Sequence, residues 1–321
     1  MNWDFLRCAS LRMGASLLVA ALTGCSSLTT SNLSHIPPGE IPRYKELRET
    51  PFFPQEQNHC GPAALATLLN DRGIPVTPET LSQTTYLPGR EGSLQIELMA
   101  TARHYGQLVY PLSGGLDDLL REIAAGNPVL ILQNQAFRWF PRWHYAVVMG
   151  YDLEHRELIL RSGGERRWIS GFTSFLNTWR RADEWGVVVM SPGQLPATAR
   201  EEAYLRAALD LERSQSPETA RTAFESAVAR WPESPTAWLM LGNNAYAGDD
   251  WPGAIAAFRQ AVTLAPDNPS AWNNLAYALL EGERPERALK AIRRALSLAP
   301  NDVNLRDSKA EIVRRLAHPK P

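Results

Sequence analysis

The sequence predicts an α+β domain followed by an all-α array of helical repeats. Between Pro51 and Met190, helix-like segments come first and strand-like segments follow, in an order suited to a mostly antiparallel sheet. Beyond Thr198 the chain repeats with a period of 34 residues. A third observation gives the first domain a focus. Cys60 stands at the mouth of a segment, Pro62 to Leu69, made almost entirely of apolar helix formers.

Composition bounds the function. The chain has 321 residues, enough for two domains, with 33 basic and 34 acidic side chains and a net charge of −1. It has no basic tract or pole, so no nucleic-acid partner is expected. Nothing calls for a cofactor or a metal. There are three cysteines, Cys8, Cys25 and Cys60, and the first two fall in the N-terminal leader. Cys60 would then be the lone free thiol of the mature chain, which in an oxidising compartment suggests a use.

Residues 1–25 read as a signal peptide. Arg7 and Arg12 supply its charge, and Met13 to Leu22 an apolar run too short to span a bilayer. The closing Leu22-Thr23-Gly24-Cys25 resembles a bacterial lipobox, which implies lipidation of Cys25 and a membrane anchor. Ser26 rather than Asp follows it, which in that family implies sorting to the outer membrane, facing the periplasm. Residues 26–50, rich in Ser, Thr and Pro, are expected to be a tether. The first globular domain is expected over 51–190.

Within it, Pro62 suits a first helical turn, and Gly73 is a plausible stop. A thiol at a helix N-terminus faces unpaired N–H groups and the positive dipole end, which favour the thiolate. Ser93 to Tyr105 reads as a second helix, Gln107 to Leu112 as a strand, and Leu116 to Ala125 as a helix ended by Gly126. Strands are expected at Val129 to Leu132, Tyr145 to Tyr151, Glu157 to Arg161, Arg167 to Ser170 and Gly186 to Met190, with a helix from Phe172 to Arg181. The aromatic and basic loop Phe137 to Trp143 could line a cleft or rest on a membrane surface. The plainer reading is a loop pinned by its own rings.

Residues 191–198 are expected to link the domains, and residues 199–318 to form the repeats and a cap helix. Tyr204, Trp238 and Trp272 are spaced by 34, as are Ala220, Ala254 and Ala288, and Phe224, Phe258 and Ile292. Ala227, Ala261 and Ala295, and Pro232, Pro266 and Pro300, complete the pattern. It resembles the tetratricopeptide repeat, which implies a groove for a protein partner.

A cysteine nucleophile needs a base, and the chain has six histidines. His35 lies in the tether, His318 in the tail, His155 in a turn, and His104 late in a helix. His59 adjoins Cys60 but points away from it. His144 opens the strand Tyr145 to Tyr151, where an imidazole can meet a thiol at a helix mouth.

Gln55-x4-Cys60-Gly61-Pro62-Ala63, with His144-Tyr-Ala-Val-Val-Met-Gly-Tyr-Asp downstream, resembles the bacteriocin-leader-processing (double-glycine) cysteine peptidases. The nearer likeness is to stand-alone peptidase-like lipoproteins related to them. The resemblance implies a papain-like fold, with Cys60 as nucleophile, His144 as base, and Gln55 holding the oxyanion together with the Cys60 N–H. The family's third catalytic residue is an Asp ending the strand after the histidine strand. Here that strand ends Arg161-Ser162-Gly163. Asp152 is no substitute, because eight residues of strand put it more than about 20 Å from His144. Ser162 falls at the missing position, and Gln133 or Asn134 on a neighbouring strand are alternatives. The expected function is a cysteine peptidase acting on peptides or proteins. The other reading is a silent peptidase fold that holds peptides and assembles a complex.

Overall fold

The structure, a computed structural model, describes residues 36–318 apart from 55–58, 88, 90 and 91. The leader, with Cys25, and Gln55 therefore lie outside the described residues. The chain divides at Glu40. On the N-terminal side, a turn at 36–40 is closed by the Glu40 N–H on the Pro37 carbonyl. From Ile41 onward the chain is one compact unit with a sheet half and a helical half.

The sheet half contains β1 (Tyr44–Glu46), α1 (Cys60–Asp71), α2 (Pro78–Thr85), α3 (Gln95–His104), β2 (Leu108–Pro111), α4 (Gly115–Ala124), β3 (Val129–Asn134), β4 (Trp143–Asp152), β5 (Glu157–Ser162), β6 (Glu165–Gly171), α5 (Phe172–Trp179) and β7 (Gly186–Met190). All pairings are antiparallel, in the order β2-β7-β3-β4-β5-β6, and β1 adds to β4 beyond the end of β3. Tyr44–Glu46 thus turns part of the expected tether into sheet. The Leu47 N–H extends this seam onto the Met149 carbonyl at 2.8 Å.

α1 is buried on nearly every side, as its apolar composition requires. Leu65, Leu68 and Leu69 pack with Leu130, Leu132, Tyr145, Val147, Val187 and Val189 from the sheet and with Leu81 and Leu98 from α2 and α3. Gly73 follows at φ +77° and Gly126 follows α4 at φ +93°, the left-handed geometry that ends a helix. α2 has no counterpart among the expected elements. Its start is written locally, with Thr77 accepting the Thr80 N–H and Pro78 in the first turn.

The expected linker is clamped. The buried Glu122 carboxylate accepts the Thr198 N–H (2.8 Å) and hydroxyl (2.6 Å), the Ala197 N–H (3.2 Å) and the Asn127 amide (2.8 Å). The Tyr110 hydroxyl donates to the Thr198 carbonyl and accepts the Arg200 N–H. These bonds leave residues 197–200 fixed to the sheet half.

The helical half runs α6 (Glu201–Ser214), α7 (Pro217–Arg230), α8 (Pro235–Ala247), α9 (Trp251–Leu264), α10 (Pro269–Glu281), α11 (Pro285–Leu298) and α12 (Val303–Ala317). The repeat positions do what their residue types allow. Ala220, Ala254 and Ala288 are fully buried, and Phe224, Phe258 and Ile292 fill the space between helices. Trp238 and Trp272 donate their indole N–H to the carbonyls of Pro232 and Pro266, six residues earlier. Gly242 lies against the Phe258 ring, where a Cβ would stand 2.5 Å away. The two halves meet through α6. Arg103 pairs with Asp210 at 3.0 Å, and the Gln215 amide donates to the carbonyls of Arg103 and His104.

Candidate active site

Cys60 is the first residue of α1 and is half-buried. Pro62 has no N–H and the Ala63 N–H is spent on the His59 carbonyl. The N–H groups of Cys60 and Gly61 are left to face the sulfur. A further donor comes from β4, where the main-chain N–H of Tyr145 also faces the thiol. The nucleophile candidate is therefore docked on the residue that follows His144.

Burial is the largest influence on this thiol and pushes its pKa up, against those three N–H groups. The pull toward thiolate expected at a helix start is present in these N–H groups but is outweighed by burial. The helix start offers favourable dipoles, but the same burial that fixes α1 removes the water an anion needs. At neutral pH the group is a thiol.

His144 lies at the start of β4, and its Nε2 is 2.8 Å from Ser162 Oγ. Burial first, then the nearby positive Arg142, push its pKa down to about 4. Its ring is neutral at neutral pH and so is an acceptor of protons. The contact with Ser162 depends on a β-bulge. From Asp152↔Glu157 to Gly150↔Ile159 the β4–β5 register is constant, and carried on it would put Ser162 opposite Val147. That would place it on the other face of the sheet from His144. The register slips by one between Gly150 and Val148, giving Val148↔Leu160 and Val147↔Arg161. The slip brings Ser162 onto the face of His144. Gly150, beside the slip, lets β1 lie close on β4, since a Cβ there would be 2.7 Å from the Lys45 carbonyl.

The alternatives at the third position are engaged elsewhere. Gln133 donates to Thr178 of α5 at 2.6 Å. Asn134 accepts the N–H groups of Ala136 and Arg142 and donates to the Phe137 carbonyl. Asp152 caps its turn, accepting from the N–H groups of Glu154 and His155 and from the His155 ring.

The loop after Asn134 is not pinned by its rings. Its backbone is held by Asn134 and by Arg181, which donates to the Ala136 carbonyl, while the aromatic side chains stand in solvent. Two further residues adjoin the site without having been expected there. Ser93 packs on Gly61, where a Cβ would come within 2.8 Å of its hydroxyl, and that buried hydroxyl has no partner among the described residues. The Tyr145 hydroxyl donates to the Ser93 carbonyl at 3.2 Å, tying the segment before α3 to β4. The glycine after Cys60 was the visible signal for such a close approach.

Residues 47–186 match the Peptidase_C39 like family, and residues 205–269 and 239–303 match the tetratricopeptide repeat. No curated protein matches the chain. Among solved structures, a C39-like peptidase from Bacillus anthracis is 17% identical over 46% of this chain and 97% of its own, with a TM-score of 0.39. A double mutant of MamA is 19% identical over 37% of this chain, with a TM-score of 0.35. This chain spans 66% of that MamA chain, just under two thirds. The first tetratricopeptide repeat of Spaghetti, bound to an HSP90 peptide, is 17% identical over 36% of this chain and 93% of its own, with a TM-score of 0.35. The chain thus joins an α+β domain resembling C39-like peptidases to a run of tetratricopeptide repeats.

Proposed function

We propose that the protein is a cysteine peptidase whose repeats recruit a protein substrate or partner. The observation that carries this is the docking of the Cys60 thiol on the amide that follows His144, with His144 Nε2 held by Ser162. With Nε2–H donating to Ser162, Nδ1 is left to take the thiol proton. The sulfur then attacks the peptide carbonyl carbon. The oxyanion is held by the Cys60 N–H and, by resemblance, the Gln55 amide. Collapse of this adduct expels the amine, which takes the proton from the imidazolium and leaves an acyl-thioester. Water, deprotonated by His144, hydrolyses that thioester to the acid and restores the thiol.

Both groups start neutral, so charge appears only as the sulfur attacks. A serine orients the imidazole but cannot match a carboxylate in stabilising imidazolium, so the rate is expected to be modest. The N-terminal reading belongs to the same proposal. Lipidation at Cys25 would place the enzyme on the periplasmic face of an outer membrane.

Ser162 in the acid's place also favours a second reading, a silent fold that only holds peptides. A peptide ketone electrophile separates the two. Covalent capture of Cys60 that is lost in His144→Ala supports the peptidase. Capture no faster than that of a free thiol supports the peptide holder.

A further inference from the structure

We infer that the β3–β4 loop is a membrane-docking tip that seats on an anionic lipid surface, independently of any acyl chain and of the peptidase reading. Within seven residues it exposes Phe137 (62%), Trp139 (82%), Phe140 (69%) and Trp143 (52%). Such exposure is unusual for large rings unless they are used. The tip is built to present them. Phe137 and Trp139 stack at 5.4 Å and 11°, and the Phe140 N–H closes the turn on the Phe137 carbonyl at 3.2 Å. Asn134 and Arg181 hold the stem from beneath.

Charge selects the occupant. Arg138 and Arg142 are exposed in the same loop, which contains no acidic residue. Among the described residues neither has a carboxylate partner. Glu165 opens β6 at the same end of the sheet but is followed by Arg166 and Arg167. A second copy of the loop would set arginine against arginine. The rings project from the tip of a hairpin, whereas a peptide ligand is better held in a concavity. Tryptophan and phenylalanine on a basic tip match the interfacial zone of a bilayer containing anionic headgroups. Because Trp143 precedes His144, docking would turn the His144 end of the sheet toward the lipid. On the peptidase reading, which the docking itself does not require, peptides tethered to or lying on the membrane are the substrates such an orientation would serve.

The test uses the chain from Ser26 onward, which keeps the whole compact unit from Ile41 and carries no acyl chain. It is mixed with vesicles of phosphatidylethanolamine with phosphatidylglycerol, and with vesicles of phosphatidylethanolamine and phosphatidylcholine alone. The protein is expected to sediment with the anionic vesicles only, and less as salt rises. Arg138→Ala with Arg142→Ala is expected to weaken partitioning by roughly fivefold per charge. Trp139→Ala with Phe140→Ala is expected to weaken it by on the order of tenfold, with a melting curve little changed, since both rings are mostly exposed and touch only rings of the same tip. Trp168→Ala, an exposed ring on β6, is the control and is expected to change nothing. Failure of the parent chain to bind anionic vesicles overturns the inference, as it would if the loop served an acidic peptide instead. Parent-like binding by the Trp139/Phe140 double variant, or by its single-site versions, also overturns it.

Discussion

The two halves of the chain from Ile41 are held together by different kinds of contact. In the helical half, contacts run between nearby helices, as where Asn244 of α8 donates to Glu212 of α6 two helices earlier. The Trp238 and Trp272 indoles even reach back only six residues for an acceptor. In the sheet half, the Cys60 thiol of α1 faces the Tyr145 amide of β4, and Ser162 of β5 meets His144 of β4 through one residue of slip in that strand. A solenoid absorbs damage locally, whereas a site set by sheet register does not. Substitutions that separate the halves should expose this contrast.

The largest effect is expected from Phe258→Ala, which removes a fully buried ring from the repeats. It should cost about 3–5 kcal/mol in calorimetry of the helical half. Labelling of Cys60 should survive it. Loss of labelling in that variant would show that the halves unfold as one.

Gly150→Ala probes the other side of the comparison. Its Cβ has no room against the Lys45 carbonyl, and about 1–3 kcal/mol is expected from overpacking and loss of β1. Here Cys60 labelling by a peptide electrophile should fall as well, because the bulge that aligns Ser162 with His144 is disturbed. Gly242→Ala, which crowds Phe258 in the repeats, should be of similar cost but leave labelling alone.

Ser162→Asp should sharpen the site without unfolding it. A carboxylate beside His144 favours imidazolium, raising its pKa from about 4 by roughly 1–3 units. The pH dependence follows with a definite sign. His144 is depressed from its ordinary 6.5, so the unfolded chain takes up a proton where the native one does not. Native stability should therefore fall as pH drops from 6.5 toward 4. In Ser162→Asp that loss should shrink, and turnover at neutral pH should rise. A flat profile in the parent chain would contradict a neutral, buried imidazole.

The smallest effect belongs to the seam. Arg103→Ala removes a partly exposed pair with Asp210, worth about 0.2–1 kcal/mol. The Glu122 clamp on residues 197–198 should keep the halves joined, and chemical denaturation would show little change.

The same contrast governs what could be read from residues alone. The repeats were legible because period 34 records contacts between neighbours, and the helices fall where the spacing puts them. β7 was legible as well, because Gly186 to Met190 is uniformly apolar. Four features were not. β1 is three residues of ordinary composition, and its strand character comes from its pairing with Tyr151 and Gly150. α2 has a readable cap in Thr77-Pro78 but little apolar periodicity. The thiol's state turned on the burial of α1, which outweighs the dipole that a helix start advertises. The position of Ser162 was readable, but the bulge that turns it toward His144 was not, since nothing local marks Met149 as the extra residue.

The most direct test of the Cys60–His144 pairing compares two reagents at neutral pH. Iodoacetamide reports standing thiolate, and a peptidyl ketone requires a base during attack. The expected result is slow alkylation by iodoacetamide, fast capture by the peptidyl ketone, and a fall of about a hundredfold or more in that capture in His144→Ala. Equal capture rates in the parent chain and in His144→Ala would contradict the account.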